Sequence, residues 1–407
     1  MEFTLQYTKE QEEFRKEVRG WLEANGKMPQ ELGEWPLHDL DITDEQVKWN
    51  REFYQKLGRK GWFYPLMPKE YGGGGLTLDH DIIIKEELDR SKIPGFSSAG
   101  NVSIAGLYVY GTEEQKQRFL KPILQGEVVT WLGWTEPDSG VDLASVKTTA
   151  IRDGDNFIMN GVKCYISGRF DPEYLWLLAV TDPYAPRHAN LGHFYMPATL
   201  PGISWQFQEL INRGTQHFVF FDNVKVPAEY LVGGETQGWQ VAQSSLELEH
   251  GAAGGLFGRE DVVEDLVSTW REGKVRSMAQ GEAAQERLAT ALIRSKVEQL
   301  ISRRNFWMFN TRQPQSYHGP QKQWYGREVR IRTAEDMLEL LGPHSLVTDP
   351  EWAILKGRVE QAQRGASMST HGGGSYEIDK VIIARRINMS RTKEVMAPTH
   401  AGTAMKA

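Results

Sequence analysis

The sequence predicts an α+β chain of several domains: helices first, a small all-β unit in the middle, a helical bundle at the end. Three observations carry this. At 407 residues the chain exceeds what one hydrophobic core usually serves, so two or three domains are expected. Apolar residues recur at helical spacing up to about residue 127 and again from about residue 238. Between them the texture changes to short alternating runs broken by Asp-Gly-Asp-Asn and Asn-Gly, the punctuation of β-hairpins. The expected domains are therefore 1–127, 128–237 and 238–407.

Each element has a local reason. Thr8 with Gln11 has the form of a capping box, and Phe14, Val18, Trp21 and Leu22 follow on one helix face. Gly72 to Gly75 mark a loop, because successive glycines lose too much chain entropy to hold regular structure cheaply. Thr112 with Gln115 makes a second capping box and opens a helix expected to stop at Gly126. "KTTAIRDGDNFIMNGVKCYIS", "LWLLAVT", "LGHFYMP" and "HFVFFDNVKVP" read as strands. Four later stretches have helical periodicity: the run from Gln240 to Trp270, "AAQERLATALIRSKVEQLISRRNFWMF", "REVRIRTAEDMLELLG" and "WAILKGRVEQAQRGASMST". They suggest a bundle of about four helices.

Composition narrows the function. The net charge of -7 argues against a nucleic-acid phosphate partner. No run of eighteen apolar residues exists, so no membrane span is expected. "MEFTLQYTKEQEEF" is neither a secretory signal nor an Arg-rich transit peptide. One cysteine, Cys164, gives neither an internal disulfide nor a cysteine metal cluster, and a reducing cytoplasm is the expected compartment. The histidines lack metal-ligand spacing, and His371 in "THGGGSY" reads as a loop residue. There is no Gly-x-Ser-x-Gly elbow and no Walker-type phosphate loop. The glycine clusters at 72–75 and 372–374 do not have the strand-to-helix setting of a dinucleotide fingerprint.

Three motifs stand in order: "GWTEPDSGVDLASVKTTA", "GVKCYISG" and "FFDNVKVPAEYLVGGETQGW". Together they resemble the acyl-CoA dehydrogenase family. Its middle domain carries a Thr-Glu-Pro segment, a Gly-x-Lys-x-aromatic-Ile-Ser/Thr strand and a Phe-Asp-x-Val-x-Val-Pro strand before a Gly-Trp helix start. The likeness runs from "EQEEFRKEVRGWL" to "SYEIDKVIIARRI". It implies N-terminal helices, a middle β-barrel-like domain and a C-terminal four-helix bundle, with FAD between the β-domain and the bundle. By position, Trp134 and Thr135 are implied to touch the isoalloxazine through backbone and hydroxyl groups. Tyr165 is implied to face the flavin, and Ser167 to hydrogen-bond near its reactive nitrogen. Ser375 and Glu377 of "GGGSYEI" are implied cofactor contacts as well. The residue types suit the task. A flat ring wants an aromatic wall, and a reduced flavin wants nearby donors. The plainer reading makes Tyr165 and Trp134 strand-face aromatics only.

The implied reaction removes an α proton from an acyl-CoA thioester to a carboxylate while the β hydride leaves for the flavin. Burial raises a glutamate's pKa and makes it a better base near neutral pH. The family keeps this glutamate in one of two places. One lies just before the Gly-Thr-Ser-Glu-Ile-like segment, where this chain has Gly373, which cannot take a proton. The other is a Leu-x-Leu-Glu-Arg pattern on the first helix of the bundle, matched by "LELEHG" with Glu249. Glu247 lies roughly 200° away around a helix, so both cannot face the flavin. Register favours Glu249; the plain alternative leaves both solvated.

The chain also departs from the family. His250 replaces the Arg after the base, and Val141 replaces a Ser at the substrate mouth. The Arg-x-x-Phe-Gly motif that holds the diphosphate of a neighbouring subunit's FAD is missing. Glu339 and Gly342-Pro343 stand where a Gln and Gly-Gly belong. Two assemblies follow: a homo-oligomer, tetramer or dimer, that holds FAD differently, or a heteromer with a related chain, as in bacterial members acting on steroids. Electrons are expected to pass to an electron-transferring flavoprotein. Gly251, Ala252, Ala253, Gly254 and Gly255 cost helix propensity, which either close packing or room for a bulky, branched or ring-bearing acyl group explains. Competing functions are a non-catalytic partner subunit, or a flavin monooxygenase or acyl-CoA oxidase on the same fold.

Overall fold

The computed structural model describes residues 7–250, 261–275, 281–310, 313–349, 351–372 and 374–390, leaving aside the side chains of 247–250, 261, 306, 309 and 310. The chain forms two compact units that divide between Leu248 and Glu249. The first holds the N-terminal helices and the sheet. α1 (Lys9–Asn25) and α2 (Asp44–Arg59) each begin on a complete capping box, Thr8–Gln11 and Thr43–Gln46. Each box satisfies two otherwise orphaned donors reciprocally. α3 (Leu78–Arg90) and α4 (Gly100–Tyr110) follow. The box at Thr112 opens α5 (Glu113–Gln115), which continues through a π turn at Lys116–Leu120 into α6 (Lys121–Leu124). The helix thus stops short of Gly126, which takes φ +68° just beyond it, a conformation glycine adopts without penalty. Val18 and Leu22 of α1 pack with Phe53 and Leu57 of α2 and Ile83 of α3.

The sheet contains β1 (Thr130–Gly133), β2 (Thr149–Asp153), β3 (Asn156–Ser167), β4 (Tyr174–Val180), β5 (Leu191–Pro197), β6 (Ile203–Glu209), β7 (Thr215–Pro227) and β8 (Leu231–Val232). Their order is β6-β7-β3-β2-β4-β5-β8, with β1 parallel to β4. The sheet curls on itself. Trp131 of β1 stacks on His217 of β7 at 4.2 Å and meets Trp205 of the edge strand β6 edge-on at 5.8 Å. This is the barrel-like middle domain.

Asp153 to Asn156 turns β2 into β3, as the pattern predicts. Asn160-Gly161, the other expected turn, lies inside β3, where the register with β7 shifts between Met159 and Gly161. A side chain at Gly161 would stand 2.4 Å from Thr148 Oγ1, so this glycine serves a close approach, not a reversal. β6, "ISWQFQE", alternates apolar Ile203, Trp205 and Phe207 with polar residues as a strand does, yet most of it is exposed; it is absent from the expected strands. α7 (Gly238–His250) buries Val241 and Ala242 in the core that Leu107, Trp176 and Tyr195 also share.

The second unit contains α8 (Asp261–Arg271), α9 (Glu282–Asn310), α10 (His318–Leu341), α11 (Arg358–Met368) and α12 (Tyr376–Arg386). Val263, Leu266, Leu288, Met337, Leu340 and Val359 form its core. α10 starts ahead of the "REVRIRT" run, and the helix expected over 352–370 starts only at Arg358. Leu355 and Lys356 have positive φ and Gly357 reaches +87°, which ends the preceding 3₁₀ turn and fixes α11's start. No described helix is long and apolar enough to cross a membrane. Among the described residues no cluster of His, Cys, Asp and Glu could hold a metal ion.

Candidate active site

Four of the sequence-predicted residues come together in the sheet unit. β1 ends at Gly133, and the chain leaves the sheet through Trp134 and Thr135. Glu136 and Ser139 then exchange backbone hydrogen bonds of 2.8 and 3.0 Å in a tight turn. Cys164 of β3 donates its N–H to the Thr135 carbonyl at 2.9 Å, so the two motif segments are joined directly. Immediately after that contact the β3–β7 ladder slips between Lys163 and Ile166. Tyr165 sits at the slip with φ +56°, a costly conformation for a bulky residue. The residue is 54% exposed. It touches Phe218 of β7 at 6.1 Å between centroids. Bulges re-aim side chains, and this one turns an aromatic ring and, two residues on, the exposed Ser167 hydroxyl out of the sheet. Gln216 reaches that hydroxyl at 3.4 Å.

Trp134 is nearly buried. Its indole N–H donates to His193 Nε2 at 2.8 Å. Burial, aided by the nearby Lys163 charge, holds His193 well below its ordinary pKa, so the imidazole is neutral and can accept. The Trp134 N–H is therefore engaged behind the site. Among the described residues nothing pairs with the Thr135 hydroxyl or N–H.

Ser375 and Glu377 lie in the bundle unit at the start of α12. Ser375 is the N-cap, its hydroxyl accepting from the Ile378 N–H at 3.4 Å. Glu377's carboxyl is held below its usual range, first by its own backbone N–H and then by the Ser375 hydroxyl. Arg327 of α10 braces the preceding segment, donating to the Gly372 carbonyl at 2.7 Å and pairing with the buried Asp379. Gly373 and Gly251 to Gly255 lie outside the described residues. Glu247 and Glu249 fall in the last turn of α7, and their side chains lie outside the described set.

Three domain models of one family match this chain in order. They are the acyl-CoA dehydrogenase N-terminal domain over 8–127, the middle domain over 132–224 and the C-terminal domain over 236–388. The chain belongs to the acyl-CoA dehydrogenase family. It is 28% identical over 398 residues to acyl-CoA dehydrogenase FadE26 of Mycobacterium tuberculosis, covering 93% of this chain and 96% of that protein. Its fold is similar to the ChsE4–ChsE5 complex of the same organism, with a TM-score of 0.78, 28% identity and coverage of 96% and 100%. A steroid ACAD, Tcur3481–Tcur3483, is similar with a TM-score of 0.80, 27% identity and coverage of 97% and 100%. Acyl-CoA dehydrogenases are FAD-dependent oxidoreductases acting on CH–CH groups. The sheet unit suits that cofactor: an outward aromatic ring beside an exposed hydroxyl, with the Thr135 hydroxyl and N–H unspent among the described residues.

Sequence reasoning passed over three residues behind this face. Lys163, fully buried, donates to Glu136 Oε1 at 2.7 Å and to the Trp134 carbonyl at 3.4 Å. Glu136 also accepts from the backbone N–H groups of Lys147 at 2.5 Å and Thr148 at 2.9 Å. Burial opposes its ionisation, but the Lys163 charge and these donors outweigh that and hold the carboxyl below its usual range. His193 is the third. The signal was available in the motifs themselves: Glu136 is the Glu of Thr-Glu-Pro and Lys163 the Lys of Gly-x-Lys, neither of which was given a role.

Proposed function

We infer that this acyl-CoA dehydrogenase introduces an α,β double bond into an acyl-CoA thioester, with Glu249 as the base. Bound FAD supplies the hydride acceptor. Tyr165 walls the flavin, Ser167 and Thr135 present hydroxyls to it, and the Trp134–Thr135 backbone lines it. Ser375 and Glu377 are cofactor contacts from the bundle. The observation that carries the reading is Tyr165 held at positive φ, ring exposed, on a bulge beside Ser167. A strained aromatic turned outward gains nothing for the sheet itself. For the base, helical spacing puts position 249 in register with Val241, Ala242 and Ser245, all buried in α7, and position 247 closer to Gln243 and the exposed Gln240. Glu249 removes the α proton, and a buried carboxylate is the better base for it. Electrons leave to an electron-transferring flavoprotein.

The acyl group is bulky or ring-bearing, and the working assembly is a heteromer with a related chain. The missing Arg-x-x-Phe-Gly motif supports the second point, since a partner can provide the groups this chain lacks. The likeness to two-chain assemblies, one of them named a steroid enzyme, supports both. The test is an anaerobic absorption spectrum of the purified protein before and after acyl-CoA, run beside Glu249→Gln. Bleaching of the flavin band in the wild type, slowed at least a hundredfold in the variant, is expected. Normal bleaching in a flavin-replete Glu249→Gln removes Glu249 as the base. Peroxide formation in air as fast as turnover favours an oxidase instead.

A further inference from the structure

We propose that the buried Lys163–Glu136 ion pair is a positioning clamp that holds the two cofactor-facing segments, Trp134–Thr135 and Tyr165–Ser167, against each other and so sets the affinity and potential of the flavin. The proposal rests on the FAD-dependent reading above.

The pair is placed where stability alone would not ask for it. Lys163 and Glu136 side chains are 0% and 5% exposed. Taking two charges out of water costs several kcal/mol per ion, and an apolar pair of similar volume often holds a fold as well or better. What an apolar pair cannot do is bind several backbone groups at once. Lys163 Nζ joins Glu136 and the Trp134 carbonyl, while Glu136 gathers the N–H groups of Lys147 and Thr148 at the entrance to β2. One charged centre thus ties the exit of β1, the entrance of β2 and the middle of β3.

The next residue, Cys164, bonds the Thr135 carbonyl, and the residue after it is Tyr165 at positive φ. Lys163 is therefore the last in-register residue of β3 before the bulge. A slip there moves the aromatic ring and the Thr135 loop relative to each other. His193 pins the Trp134 ring from behind, and Lys163 reaches the carbonyl of the same residue at 3.4 Å, next to the Cys164–Thr135 bond. Lys163 touches the carbonyl of a cofactor-facing residue, and it acts through that residue.

The experiment uses the full-length protein, with Lys163→Met and the double variant Glu136→Gln/Lys163→Met. FAD uptake by the apoprotein is titrated and normalised to far-UV circular dichroism, and the flavin visible band and midpoint potential are recorded. Lys163→Met leaves a buried carboxylate unpaired and is expected to melt earlier and lose flavin. The double variant carries no buried charge and is expected to recover most of the apoprotein's melting midpoint. It still binds FAD at least tenfold more weakly, with a displaced band and potential. A double variant with wild-type FAD affinity, band and potential overturns the clamp while leaving the FAD reading intact. A wild-type protein that takes up no FAD even together with the partner chain it is isolated with overturns both.

Discussion

Tyr165 shows how a single residue can be legible in type and illegible in conformation. The motif gives an aromatic before Ile-Ser, but nothing in it announces a left-handed backbone. That conformation costs a non-glycine residue about 1–2 kcal/mol. Because the ring is largely exposed, glycine at this position removes the strain while giving up little burial. Tyr165→Gly is therefore expected to leave the apoprotein's stability unchanged or raised by up to about 1 kcal/mol, read by urea denaturation. The same variant is expected to bind FAD about tenfold more weakly, since an aromatic wall is worth roughly 1 kcal/mol beyond its buried area. A loss of more than about 1 kcal/mol in the apoprotein would make Tyr165 a packing residue. Unchanged FAD affinity would take it out of the site. Ser375 and Glu377 are legible in the opposite sense. Their positions followed from the motif, but the local physics that holds them is helix capping, which the motif does not mention.

At the scale of elements, capping chemistry was the most readable signal. The Thr-x-x-Gln boxes at Thr8 and Thr112 start helices where the pattern says they should, because the box is a local device that needs no tertiary partner. Elements fixed by distant contacts were not readable. Asn160-Gly161 has turn composition but serves the approach of Thr148. Nor does sequence show that α1 and α3 are joined by one buried carboxylate. Glu87 of α3 accepts from Arg19 at 2.9 Å and Arg15 at 3.2 Å on α1, and from Arg90 at 2.9 Å. Burial opposes its ionisation, but hydrogen bonds from Arg19, Arg90 and Arg15 prevail and lower its pKa from 4.5 to about 2. A carboxyl depressed on folding contributes stability that is fully present above its unfolded value and is lost as pH falls through the folded one. The window is therefore about pH 4.5 down to 2, and the contribution is at most about 3 kcal/mol, less for partners as exposed as Arg19 and Arg90. Glu87→Gln is expected to be less stable than wild type by roughly 2 kcal/mol at pH 7, to close that gap progressively from about pH 4.5 downward, and to converge on it only at about pH 2. Parallel urea midpoints for the two proteins across that range would refute the link.

For the whole molecule, the order of helices, sheet and helices was legible because periodicity changes twice along the chain. The division of packing was not. α7 opens the helical stretch by its sequence pattern, yet its Val241 and Ala242 are buried with the sheet, because Gly238 comes within 2.6 Å of β5 backbone at Gly192 and Leu191 by the Cβ position it lacks. Each unit has a core of its own, so each can respond separately to a ligand. A cofactor that binds only folded protein stabilises it by about 2.7 kcal/mol at a hundred times its dissociation constant. For a unit the size of the one holding the sheet, that amounts to a rise in melting temperature of roughly 5–10 °C. Calorimetry of the apoprotein, together with any partner chain it is isolated with, with and without such an excess of FAD, is expected to show this rise in the transition that carries the sheet, identified by hydrogen exchange of the β3 and β7 amides. In Tyr165→Gly at the same FAD concentration the rise is expected to shrink, because ten times the dissociation constant leaves only about 1.4 kcal/mol of that stabilisation. A sheet transition indifferent to FAD in the wild type would mean that the Trp134, Thr135, Tyr165 and Ser167 face does not hold the cofactor.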